Sequence, residues 1–222
     1  FSICGTDTLT ENADTVNGTD ADETINGPLT TSSGQQINTF NGSDVIDGGD
    51  GEDTLFAQFP GQGAGFGETF IRSNVDNVEN FQLQNNFTAA GGLTFDWDLA
   101  ENSLGGTHEL ISTTGTALYQ NVPQAPDAVT LQNLSNNASL TERIESGVLA
   151  QDDGTSLDLT TTDVFPAAGT GTATIDIASE SNTTVRFSEV NLTSNGTANR
   201  FGTFNLLTTD AATSNSDEDE VL

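Results

Sequence analysis

The sequence has no lysine and no methionine, and it has one each of cysteine, histidine, tryptophan and tyrosine. Each scarcity excludes something. Its cations are four arginines, Arg72, Arg143, Arg186 and Arg200. Without lysine there is no phosphate-binding loop of the glycine–lysine type and no lysine–asparagine crosslink. Cys4 has no partner within the chain, so disulfides do not hold the fold; it is a buried small apolar residue or an intermolecular link. One histidine and one cysteine are too few for a zinc site. His108, in "GGTHELIS", lies among many serines and aspartates, but no Gly-x-Ser-x-Gly elbow accompanies it, and it reads as a surface or core residue. Paired carboxylates of the glycosidase kind cannot be singled out by spacing among so many acids. No enzymatic activity is expected. No run of eighteen apolar residues occurs, so no membrane insertion by a helix is expected.

What is abundant is negative charge. Thirty-three Asp and Glu against four Arg give a formal charge of −29 over 222 residues. Such a chain repels nucleic-acid phosphate and anionic membranes, so neither is an expected partner. Self-repulsion strains the compact state, and divalent cations or high salt relieve it. The composition fits a marine or halophilic setting, a calcium-loaded protein, or both. The chain opens at Phe1 without a leader and is read as exported and mature. Eight Asn-x-Ser/Thr sequons, at Asn17, Asn41, Asn86, Asn133, Asn137, Asn182, Asn191 and Asn195, are compatible with a secreted, extracellular or cell-surface location.

Short alternating runs separated by Gly, Asn, Asp and Ser predict strands over Glu68–Arg72, Val78–Gln84, Leu93–Leu99, Glu109–Ser112, Ala117–Val122, Ala128–Leu134, Ser156–Thr162, Ala173–Ala178, Thr183–Val190 and Thr203–Thr208. Alternation implies one wet face, which favours antiparallel pairing. The fold class expected is therefore all-β: an antiparallel β-sandwich or jelly-roll-like body with a short calcium-binding N-terminal segment. Ser139–Ser146, "SLTERIES", predicts a two-turn helix, with Ser139 as cap and Glu142 three residues on. Phe95 and Trp97 share one strand face and read as core aromatics, with a sugar platform as the alternative.

The first sixty residues carry an internal period. Val16-Asn17-Gly18 recurs nine residues on as Ile25-Asn26-Gly27, and Gly42, Asp44 and Ile46 recur as Gly51, Asp53 and Leu55. Gly48 to Phe56 fill a nine-residue pattern, Gly-Gly-x-Gly-x-Asp-x-(apolar)-x. Glycines there let carbonyl oxygens converge, the aspartate adds an anionic oxygen, and calcium takes six to eight such ligands at about 2.3–2.6 Å.

This stretch resembles the calcium-binding nonapeptide of repeats-in-toxin (RTX) proteins. The wider text, with Val78, Glu79 and Asn80 as a Val-Glu-Asn motif, is similar to bacterial surface-layer and large secreted surface proteins over about residues 5–85. The resemblance implies Ca2+ as cofactor, with Asp44, Asp47, Asp50 and Asp53 and the carbonyls of Gly48 and Gly51 as ligand candidates. Asp14, Asp20 and Asp22 are candidates for a second site. One complete nonapeptide suggests one or two ions clamping a loop against a sandwich rather than a full parallel roll. Three regions are expected: a calcium-binding segment (1–60) with an apolar first strand, a sandwich body (61–210) and an acidic tail (211–222). The function expected is a self-assembling structural subunit of an extracellular surface layer or filament. Phe1, Ser2, Ile3 and Cys4 would serve as a strand donated to a neighbouring copy. A calcium-dependent adhesin or carbohydrate-binding module, with glycans as partners, is the alternative.

Overall fold

A computed structural model describes residues 6–61, 70–86, 92–111, 115–134, 138–144, 156–164, 174–179, 189–196, 199 and 203–206. The candidate donor strand at 1–4 and the acidic run at 217–220 lie outside these. Among the described residues there is no helix, and almost every strand pairing is parallel.

In chain order the strands are β1 (Thr6–Thr8), β2 (Thr15–Thr19), β3 (Thr24–Gly27), β4 (Leu29–Ser32), β5 (Gln35–Asn38), β6 (Val45–Gly49), β7 (Thr54–Phe59), β8 (Phe70–Ile71), β9 (Asn74–Asp76) and β10 (Asn80–Asn85). They continue as β11 (Leu93–Asp96), β12 (Ala100–Glu101), β13 (Thr107–Ile111), β14 (Thr116–Val122), β15 (Ala128–Gln132), β16 (Ser139–Ile144), β17 (Ser156–Thr162), β18 (Thr174–Ser179), β19 (Glu189–Asn195) and β20 (Thr203–Leu206). One long sheet, A, stacks β1-β3-β7-β10-β13-β15-β17-β19; a second, B, stacks β12-β9-β6-β2; a third, D, stacks β20-β18-β16-β14-β11-β8. The chain visits these sheets in rotation, which makes it a parallel β-solenoid. Among the described residues only the hairpin β4–β5, sheet C, is antiparallel, and it leaves the stack between β3 and β6.

This corrects the expected antiparallel sandwich. The alternation that suggested it is present, but in a solenoid each parallel strand also has one face inside the tube and one in water. Alternation reports a half-buried sheet and not the direction of its neighbours. The nine-residue period has the same explanation. Val16 is on β2 and Ile25 on β3; Ile46 is on β6 and Leu55 on β7. One nonapeptide is one corner plus one strand, and successive copies go to different sheets.

Three apolar columns fill the tube. In sheet A the register stacks Ile25, Leu55, Phe81, His108, Val129, Leu159 and Leu192. In sheet B it stacks Val16, Ile46, Val75 and Ala100, and in sheet D Ile71, Phe95, Tyr119, Glu142 and Ile177. Trp97 is buried and stacks on Phe95 with ring centroids 5.5 Å apart, while Phe81 meets Phe95, Trp97 and Tyr119 edge-on. Aromatic pairs of this geometry add about 0.5–1.5 kcal/mol each beyond their burial.

Ser139–Ile144 is a strand, not the expected helix. Leu140, Glu142 and Ile144 all point inward. A glutamate in an apolar slot broke the alternating pattern and imitated a capping box.

Candidate functional site

The acidic residues chosen from the sequence lie along two corners of the N-terminal rungs. The first corner precedes the strands of sheet B. There Asp44, buried, accepts the Asp14 N–H on Oδ1 at 3.0 Å and the Asn41 N–H on Oδ2 at 2.8 Å. Asp14 in turn accepts the Thr10 N–H at 2.6 Å. These carboxylates satisfy backbone donors that a turning chain would otherwise leave unpaired, one rung to the next.

The second corner joins sheet B to sheet A. Thr24, Thr54 and Asn80 are aligned in the register, so the residues before them, Glu23, Asp53 and Glu79, form a column of three acids. The Glu23 N–H donates to Asp53 Oδ1 at 2.7 Å, and the Asp53 N–H donates to Glu79 Oε2 at 2.8 Å. Glu23 also accepts the Thr19 N–H at 3.0 Å and bonds its hydroxyl. Asp22 accepts the Glu52 N–H at 3.0 Å at the same corner. Asp20 and Asp50 are exposed there; the Asp50 N–H donates to the Thr19 carbonyl. Asp47 sits on β6, accepting the Gly49 N–H and the Asn77 side-chain amide.

The glycines are explained by close stacking. A Cβ on Gly18 would lie 1.7 Å from the Gly48 carbonyl oxygen, and one on Gly48 would lie 2.0 Å from the Asn77 carbonyl oxygen and 2.5 Å from Asp53 Oδ2. Gly51, with φ +126, also packs on the Ala21 backbone.

Asp53 is the one member of this column whose electrostatics stand out. It is fully buried, and Oδ2 has no hydrogen-bond partner. Burial, and then the charges of Glu23, Glu79 and Asp22, push its carboxyl up to about 6, against the bond from the Glu23 N–H that lowers it. Among the described residues no three acidic, histidine or cysteine side chains converge in a geometry ready to hold a metal ion. What the corner offers instead is a column of carboxylates carrying one orphaned oxygen.

Glu23 and Glu79 were not among the residues picked from the sequence. The signal was present: Glu23 follows Gly18 by the same five positions as Asp53 follows Gly48, and Glu79 is the centre of the Val-Glu-Asn motif. A glutamate in the aspartate slot concealed it. Also unforeseen was the role of His108, fully buried inside the tube and 3.1 Å from Glu142.

Comparisons with protein-family models, with curated proteins and with solved structures returned no significant match to this chain.

Proposed function

We propose that this chain is a structural subunit of a self-assembling extracellular surface layer or filament, stabilised by calcium. The observation that carries the self-assembly is the last strand of sheet A among the described residues. Val190 and Leu192 of β19 are in register with Leu157 and Leu159 of β17, which are buried. Yet Val190 is 37% and Leu192 63% exposed. A residue in the core column of a parallel stack is thus presented to solvent on a strand that pairs with no further strand among the described residues, which suits continuation of the stack by a second copy.

The support for calcium is the orphaned, buried Asp53 oxygen within its column of acids. A cation held by Glu23, Asp53 and Glu79 would supply the positive charge that these side chains lack, and neutralising them would tighten the second corner. With a chain charge of −29, two copies approach each other only when part of that charge is screened.

The test is sedimentation velocity in calcium on the wild type and on Leu192→Lys. The wild type should form large species. The variant should stay dispersed with an unchanged circular dichroism spectrum, because the position is already exposed. Assembly of Leu192→Lys at the wild-type level would refute the role given to this edge.

A further inference from the structure

An acid and a histidine lie wholly inside the tube side by side, His108 from β13 and Glu142 from β16. They belong to opposite sheets. His108 sits between Phe81 and Val129 in the sheet A column, and Glu142 between Tyr119 and Ile177 in the sheet D column. The imidazole Nε2 is 3.1 Å from the Leu104 carbonyl oxygen, and Nδ1 is 3.1 Å from Glu142 Oε1.

These two contacts fix the number of protons. A carbonyl oxygen only accepts, so Nε2 carries a hydrogen. Nδ1 is then either bare, and needs a protonated carboxyl as its donor, or it is the N–H of an imidazolium, and donates to a carboxylate. Both arrangements place one proton between Nδ1 and Oε1. With none, two lone pairs would face each other in a buried apolar site. With two, the site would hold a net positive charge. Leu104 reinforces the assignment. It is buried and held at φ 65, in the left-handed region where a leucine is rare, and its N–H is tied to the Val78 carbonyl at 2.8 Å.

The surroundings leave this pair to itself. Tyr119 of β14 presents its ring to His108 edge-on, with centroids 5.8 Å apart. Its hydroxyl is pushed well above the usual range by burial and by Glu142, so it stays neutral. On the neighbouring strand positions, Glu109 is bonded to Gln132 and Arg143 to Asp176, on the partly exposed outer face. Phe81, Val129 and Ile177 are apolar.

We propose that His108 and Glu142 hold a single proton between them as a permanent part of the fold, a clamp that ties sheet A to sheet D across the interior.

Glu142→Gln separates this from simple packing, since the amide N–H donates to a bare Nδ1 with no extra proton. In denaturant titration of the full chain, Glu142→Gln should keep a folding constant close to that of the wild type, while Glu142→Leu, which leaves Nδ1 without a partner, should lose about tenfold or more; equal losses in the two variants would overturn the proposal. The wild type alone gives a second readout, because His108 is the chain's one histidine. With 15N-labelled histidine, nuclear magnetic resonance at neutral pH should show a protonated Nε2. A neutral ring protonated at Nδ1 would overturn it whether or not the variants fold.

Discussion

The rungs before and after β12 are built differently. Up to Glu101 the chain rotates through three sheets, and its corners are lined by aspartate, glutamate, asparagine and glycine that bond backbone to backbone across rungs. Beyond it, sheet B has no further strand among the described residues, and the chain alternates between sheets A and D. There the described interior is largely apolar, and its buried polar side chains include Ser103, His108, Glu142 and Thr161. The N-terminal half is thus specified at its corners, by short hydrogen bonds and by glycines too close to a neighbour for a side chain. The C-terminal half is specified in its interior. The first design gathers its carboxylates at the corners of the stack, where calcium is proposed, while the second closes an acid and a histidine on each other inside it.

The sharpest way to break the second design is His108→Leu. It leaves Glu142 buried with neither oxygen paired, and should destabilise the protein by about 3–5 kcal/mol in denaturant titration. Adding Glu142→Leu should recover most of the loss, since a buried pair replaced by apolar residues is often close to neutral.

The first design should break at Gly18. Gly18→Ala drives a Cβ into the Gly48 carbonyl, and an overpacked backbone contact of this kind should cost about 3 kcal/mol. Gly34 is the control. It has φ +80 but nothing within 4 Å, so Gly34→Ala carries only backbone strain, about 1 kcal/mol. Equal losses at the two glycines would show that stacking at the corner is not what requires Gly18.

Asp53 sharpens the contrast through pH. Its carboxyl is held at about 6 in the folded protein against an ordinary value of 3.8. The folded state therefore favours the protonated form. The Asp53 contribution to stability should be greatest below pH 4 and should fall as pH rises to 6, by about 3 kcal/mol in the absence of calcium. Asp53→Asn should lose this dependence, be more stable than wild type at pH 7 in chelator, and show a smaller rise in melting temperature on adding calcium.

Many of the strands beyond Phe70 were legible in the sequence, Ser139–Ile144 being an exception read as a helix, and their arrangement was not. Ser156–Thr162 was expected and found with the same bounds. Parallel stacking stayed concealed because the number of residues per rung varies. Successive members of the sheet A column, from Ile25 to Leu192, differ by 30, 26, 27, 21, 30 and 33 in residue number. Insertions such as the β4–β5 hairpin enter between strands and erase a fixed period. Only the corner-plus-strand unit survives, and it is too short to show which strands are neighbours. At the candidate site, Asp53 was legible because its glycines are all present. Glu23 and Glu79 became visible only when the register put them beside it. Glu142 was assigned to a helix cap because its partner, His108, is 34 residues away and on another sheet.

The central claim, that calcium turns this acidic stack into an assembling subunit, is tested most directly by negative-stain electron microscopy of the purified chain in millimolar calcium and again after chelation. Ordered lattices or filaments that disperse on chelation are expected. Dispersed single particles in both conditions would contradict it.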